Sequence, residues 1–133
     1  MLNRLNHVAI AVPDLVAATA FYRDVLRAQV SEPIDLVEHG VTTVFVTLAN
    51  TKLELITPLG DNSPIKRYLQ KNPRGGLHHL CFDVKDIEES ANNLKNTQVR
   101  ILKEPHSGAH GLPVVFLHPG DTFGCLLELE ESS

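Results

Sequence analysis

The chain carries one pattern twice. Leu5-Asn6-His7-Val8-Ala9-Ile10-Ala11-Val12-Pro13-Asp14-Leu15 is matched, 72 residues on, by Leu77-His78-His79-Leu80-Cys81-Phe82-Asp83-Val84-Lys85-Asp86-Ile87. Gly40-Val41-Thr42-Thr43-Val44-Phe45-Val46 is matched by Gly111-Leu112-Pro113-Val114-Val115-Phe116-Leu117, and Leu53-Glu54-Leu55 by Leu127-Glu128-Leu129. Three matches in the same order, with only a few residues of drift, indicate an internal duplication. Such a chain must fold as two like units. At 133 residues it has room for one domain with a real core, built from two packed halves.

Each half reads as strand, helix and three strands. Residues 5–12 alternate, with Val8, Ile10 and Val12 on one face and His7, Ala9 and Ala11 on the other. Asp14 behind Pro13 is a good N-cap, and Leu15, Ala18, Tyr22, Val25 and Leu26 follow at helical spacing. Strands are expected near 28–37, 42–48 and 52–57. Ser63-Pro64 starts a linking helix, about 63–72, with Ile65, Tyr68 and Leu69 on one side. Pro73-Arg74-Gly75-Gly76 ends it. In the second half a strand covers 77–84, Asp86 caps a helix with the stripe Ile87, Ala91 and Leu94, and strands lie near 99–103, 113–118 and 124–130. The fold class is α+β, two tandem βαβββ modules at about 5–58 and about 77–130 within a single domain, 1–133.

Strand parity then isolates four polar residues. If Val8 and Ile10 pack on a helix, His7 faces away from it. By the same parity Leu80 and Phe82 turn His79 away, Leu53 and Leu55 turn Glu54 away, and Leu127 and Leu129 turn Glu128 away. One His and one carboxylate per half stand on the open face, and a pseudo-twofold axis would bring all four to one point. Imidazole with carboxylate suits a borderline divalent cation such as Co, Mn, Ni, Fe or Zn. A site with only four protein ligands keeps positions for water or substrate.

Other features exclude functions. The net charge of −4 argues against a broad nucleic-acid surface. No apolar run is long enough to cross a bilayer, and no secretory signal is apparent at Met1-Leu2-Asn3-Arg4. Cys81 and Cys125 form no Cys-x-x-Cys pair and read as small hydrophobes in a reducing compartment. No Walker or dinucleotide fingerprint is present.

The duplicated plan and its four ligands resemble the vicinal oxygen chelate (glyoxalase-like) superfamily, and within it the methylmalonyl-CoA epimerase family. The resemblance runs over nearly the whole chain. It is carried by Asn6-His7-Val8-Ala9-Ile10-Ala11-Val12, Glu38-His39-Gly40-Val41, Leu53-Glu54-Leu55, Gly75-Gly76-Leu77-His78-His79-Leu80, Gly108-Ala109-His110-Gly111, Phe116-Leu117-His118-Pro119 and Leu127-Glu128-Leu129. It implies a curved, cup-like mixed sheet with helices on its outer face, and one divalent ion per chain, Co2+ first and Mn2+, Ni2+ or Zn2+ as alternatives. It further implies an acyl-CoA substrate, a homodimer, and a cytoplasmic location, or the mitochondrial matrix if a transit segment has been removed. The implied reaction moves a proton at C2 of methylmalonyl-CoA, with Glu128 as both metal ligand and base. Some members carry a second catalytic Glu where this chain has Thr43. Glu54 is then a candidate for both ligand and second base, with Glu38, His39 or a water relay as the other candidates. Lys66, Arg67, Lys71 and Arg74 are candidates for the CoA phosphates, and a solvated helix face explains them equally well. Competing readings are a glyoxalase I-type isomerase, an extradiol dioxygenase and a metal-free binding module. Backbone bonding is the expected role of His78, and solvation that of His106 and His110 in their Gly-rich loop.

Overall fold

The computed structural model describes residues 1–132 and is of mixed α+β class. It divides into two compact units: residues 8–78, and residues 1–7 together with the chain from 79 onward. The boundary runs through two strands, just after His7 in β1 (Leu5–Ala11) and just before His79 in β6 (Gly76–Val84).

In the unit of residues 8–78, β1 pairs parallel with β5 (Lys52–Pro58), and β5 pairs antiparallel with β4 (Val41–Thr47). Beyond β4 lie two short pieces, β2 (Gln29–Val30) and β3 (Ile34–Leu36). The single strand expected over 28–37 is thus broken at Ser31–Pro33, where Pro33 has no N–H for a ladder. Helix α1 (Leu15–Ala20) is capped by the Asp14 carboxylate, which accepts from the Ala17 N–H at 3.0 Å. Its Leu15 and Ala18, with Tyr22 just beyond its end, pack with Ile10 and Leu53 against Val44, Val46 and Leu55. Val25 and Leu26, expected on that stripe, are exposed instead. After Ala20 the helix widens into a π-helical turn, Phe21–Val25, so the 3.6-residue period no longer applies.

The linking helix is α2 (Pro64–Lys71), started by Ser63, whose hydroxyl accepts from the Ile65 N–H. It covers the face of this sheet opposite α1. Ile65, Tyr68 and Leu69 pack against Ala9, Ala11, Val41 and Ile56. This corrects the expectation of an open face on that side: next to Ala9 and Ala11 the sheet is roofed by α2.

The other unit repeats the plan. β6 pairs parallel with β9 (Leu126–Glu131), β9 antiparallel with β8 (Pro113–Leu117), and β8 antiparallel with β7 (Ile101–Ser107). The first residues of the chain lie alongside β6, with Asn3 N–H donating to Asp83 O and Asp83 N–H to Arg4 O. Helix α3 (Ile87–Lys95) starts at Asp86, whose side chain accepts from Glu89 N–H, and Glu131 accepts from Ile87 N–H. Ile87, Ala91 and Leu94 pack on Val84, Val115, Leu117 and Leu129, as their spacing requires. β7 extends to Ser107 rather than ending at 103. Its pairing with β8 shifts register twice, which takes His106 out of the expected loop and stacks it on Phe116 at 6.3 Å.

The turn from α2 into β6 depends on Gly75. Its φ is +85°, and a Cβ there would run into the Ala11 carbonyl oxygen. Gly75→Ala is expected to lower unfolding free energy by roughly 2 kcal/mol or more in urea titration. A change below about 0.5 kcal/mol would show that the turn relaxes without it.

Candidate metal centre

Three strands deliver three candidate ligands to one point in the unit that holds the chain's first residues. His7 ends that unit's share of β1, His79 begins its share of β6, and Glu128 lies on β9 opposite Cys81 in register. Leu127 and Leu129 of β9 pack in the α3 core, so Glu128 between them projects to the other face. His7 Nε2 is 3.3 Å from Glu128 Oε1, His79 Nε2 is 3.2 Å from the same oxygen, and the two Nε2 atoms are 3.3 Å apart. Three donors at these separations match ligands around one cation with bonds of about 2.0–2.3 Å. The residues are 1 %, 8 % and 5 % exposed, so they are buried rather than standing on an open face. Ring neighbours in the same unit contribute to this: Phe116 lies edge-on to His79 and His110 edge-on to His7.

The surrounding hydrogen bonds fix how His7 presents itself. Asn6 donates its amide hydrogens to Asp83 Oδ1 at 2.8 Å and Glu130 Oε1 at 3.2 Å. Its Oδ1 is therefore the acceptor toward His7 Nδ1 at 2.7 Å, so Nδ1 carries the hydrogen. Nε2 then faces a carboxylate oxygen and a second imidazole nitrogen at 3.3 Å, and such a trio needs positive charge between its members, as a proton or a metal ion. A divalent metal thus fits the residues present.

Burial alone would raise the Glu128 carboxyl. The ring nitrogens of His7 and His79 outweigh it and hold the group well below the usual carboxylate range, so Glu128 is ionised at neutral pH. Cys81 shares the face of His79 and is completely buried. Burial first, then Glu128 and Glu130, push its thiol well above the ordinary range, so it is a neutral S–H.

Glu54 belongs to the other unit. It is 5 % exposed on β5, in register with Phe45 and Ala9, and on the face opposite Leu53 and Leu55, as parity requires. Thr43 lies on the same face as Glu54, its strand partners being Ile34 and Ile56. Among the described residues its hydroxyl is the one buried side-chain polar atom without a hydrogen-bond partner. Glu38 is exposed and His39 half-buried on a 3-10 turn. Lys66, Arg67, Lys71 and Arg74 are exposed.

Several residues of the centre carry no ligand-like signal in the sequence. Asn6, Asp83 and Glu130 form the outer ring of polar contacts. His110, expected to be solvated, places Nδ1 2.9 Å from the buried Glu130 carboxylate. Glu130 could have been found by parity, being two residues from Glu128 on one strand face. His110 could not, since its approach depends on the turn after β7. His78 lies edge-on to Tyr68, while the Tyr68 hydroxyl donates to Leu77 O. His118 accepts from Gly120 N–H beside a 3-10 turn.

The family model for the glyoxalase/bleomycin resistance protein/dioxygenase superfamily matches residues 6–116. The chain is 57% identical over 133 residues to the ethylmalonyl-CoA/methylmalonyl-CoA epimerase of Cereibacter sphaeroides, covering 98% of this chain and 99% of that protein. It is 57% identical over 132 residues to the mitochondrial methylmalonyl-CoA epimerase of Homo sapiens, covering 98% of this chain and 75% of the relative. A Streptomyces coelicolor methylmalonyl-CoA epimerase variant, solved in complex with 2-nitronate-propionyl-CoA, superposes with a TM-score of 0.90 at 31% identity. That match covers 100% of this chain and 96% of the other.

Metal analysis after equilibrium dialysis is expected to give about one divalent ion per chain. His7→Ala or His79→Ala should abolish uptake. A proton and a metal ion compete for the same nitrogen lone pair, so uptake should weaken as the solution is acidified. The depressed carboxyl of Glu128 keeps its charge further into acid than an ordinary carboxylate. Wild-type protein that takes up no divalent ion would contradict the centre.

Proposed function

Because the chain belongs to the glyoxalase/bleomycin resistance protein/dioxygenase superfamily, and within it to the methylmalonyl-CoA epimerases, we propose that it is an isomerase interconverting (R)- and (S)-methylmalonyl-CoA. The observation that carries this reading is the buried convergence of His7, His79 and Glu128, which joins a cation site to a carboxylate able to move a proton.

His7, His79 and Glu128 would hold a divalent metal, cobalt by family resemblance, with Glu54 as the fourth ligand. When bound, the metal supplies Lewis-acid stabilisation for negative charge on the substrate's thioester and carboxylate oxygens. The chain's own residues do the rest. Glu128 accepts the C2 proton, leaving its electron pair delocalised onto the thioester oxygen. The carbon becomes planar, and a proton returned to the opposite face completes inversion. Glu54 is our candidate for the group on that face. Asn6 keeps His7 in the Nδ1–H form, so the ring serves as a ligand and does not compete for the migrating proton. The nitronate ligand of the Streptomyces coelicolor relative is consistent with this route, because a nitronate is planar at the corresponding carbon. The exposed Lys66 and Arg67 border a cleft of about 480 Å³ at the start of α2, and they are our candidates for the CoA phosphates. The functional unit is proposed to be a homodimer.

Side-by-side assays of the metal-loaded protein test the reading. Methylmalonyl-CoA should turn over far faster than the glutathione hemithioacetal of methylglyoxal, and the reverse order would make the chain a glyoxalase-type isomerase. Glu128→Gln should lower epimerisation by about 10²-fold or more, the range for losing a general base. Glu54→Gln, loaded with metal, should keep exchange of one stereoisomer's proton and lose the other's. Near-normal epimerisation by that variant would remove Glu54 from the proton path.

A further inference from the structure

The metal-ligating groups of this unit include a sulfur atom that the proposed reaction does not use. His7, Cys81 and Glu128 present ligand atoms that all lie within 4.8 Å of one another, and all three residues are buried. The placement follows from the sheet. Cys81 is two residues beyond His79 on β6, hence on the same face, and it is the register partner of Glu128 on β9. Cys125, the other cysteine, is half-buried before β9 and belongs to no such group among the described residues.

Bond lengths decide what this set can hold. Zinc binds thiolate at about 2.3 Å and imidazole at about 2.0 Å, so ligand atoms about 4 Å apart can share one ion. Side-chain rotation of Cys81 and Glu128 need supply less than about an ångström. Chemistry then separates cations by softness: nitrogen and oxygen donors suit cobalt or manganese, whereas sulfur adds affinity for zinc and, more strongly, cadmium. We propose that Cys81 makes this centre a second, inhibitory site for thiophilic divalent cations, held by His7, Cys81 and Glu128. The inference rests on the metal reading of His7 and Glu128.

Binding is a balanced exchange with no redox change. The Cys81 S–H bond breaks, its proton leaves to solvent, and the sulfur electron pair forms the bond to the incoming ion. The ion would take His7 and Glu128, which the metal of the proposed reaction also needs, so the two ions cannot be held at once and capture stops turnover. Donor softness then separates the ions: a hard cation takes the His and carboxylate donors, and a soft one takes sulfur as well.

Cadmium titration of metal-free protein tests this without reference to turnover. Wild type and Cys125→Ala should each develop the ultraviolet thiolate-to-cadmium charge-transfer band, saturating at about one ion per chain. Cys81→Ala and Cys81→Ser should lack it. Both should still take up cobalt through His7, His79 and Glu128, which also reports that they are folded. Cadmium affinity should fall at least tenfold from wild type to Cys81→Ser while cobalt affinity changes less than threefold. A band that persists in Cys81→Ala, or one absent from a wild type that binds cobalt, overturns the inference and leaves the metal reading standing. A wild type that binds neither ion overturns both.

Discussion

Two imidazole nitrogens and a carboxylate oxygen, each within 3.3 Å of the others and nearly sealed from water, form an arrangement a protein does not adopt by default. Removing such groups from water costs several kcal/mol per charge, and the cost is offset only by a partner of opposite sign. The surrounding contacts act to hold them there. Asn6 sets the tautomer of His7, Asp83 and Glu130 hold Asn6, and His110 pairs with Glu130. Each of these residues lies within one compact unit, and so do the three candidate ligands. The centre is therefore organised by the packing of β6, β8, β9 and α3, with the first seven residues of the chain laid alongside.

That packing is ordinary hydrophobic chemistry put to a particular use. Val84, Val115, Leu117 and Leu129 bury against Ile87 and Ala91 on one face, which obliges the alternate residues Cys81, Glu128 and Glu130 to share the other. A one-residue slip of β9 would exchange Glu128 for Leu127 or Leu129 and fill the α3 core with carboxylate. The apolar core thus specifies the polar site, and neither can drift without the other.

Much of this was legible in the sequence because it depends on period alone. Duplication located the halves, alternation assigned His7, His79, Glu54 and Glu128 to faces, and Asp14, Ser63 and Asp86 marked the helix starts that their side chains do cap. What escaped did so where period fails. Val25 and Leu26 lie in and just past a π-helical turn, where the helical stripe rotates away from the sheet. β7 shifts register twice, so His106 and His110 reach surroundings that no regular spacing predicts. The face beside Ala9 and Ala11 was read as open because the roof over it, α2, comes from a distant part of the chain. Cys81 read as a plain core residue, which its burial supports, but its neighbours on that face are the polar His79 and Glu128 rather than hydrophobes.

The central claim is that this buried cation site drives proton exchange at carbon. It is tested most directly by incubating a single stereoisomer of methylmalonyl-CoA in heavy water with the metal-replete protein and with the same protein stripped by chelator. Deuterium at C2 should accumulate together with the opposite stereoisomer in the replete sample, fall to background in the stripped one, and return when metal is restored. Equal deuterium incorporation with and without metal, or none in the replete sample, would contradict the account.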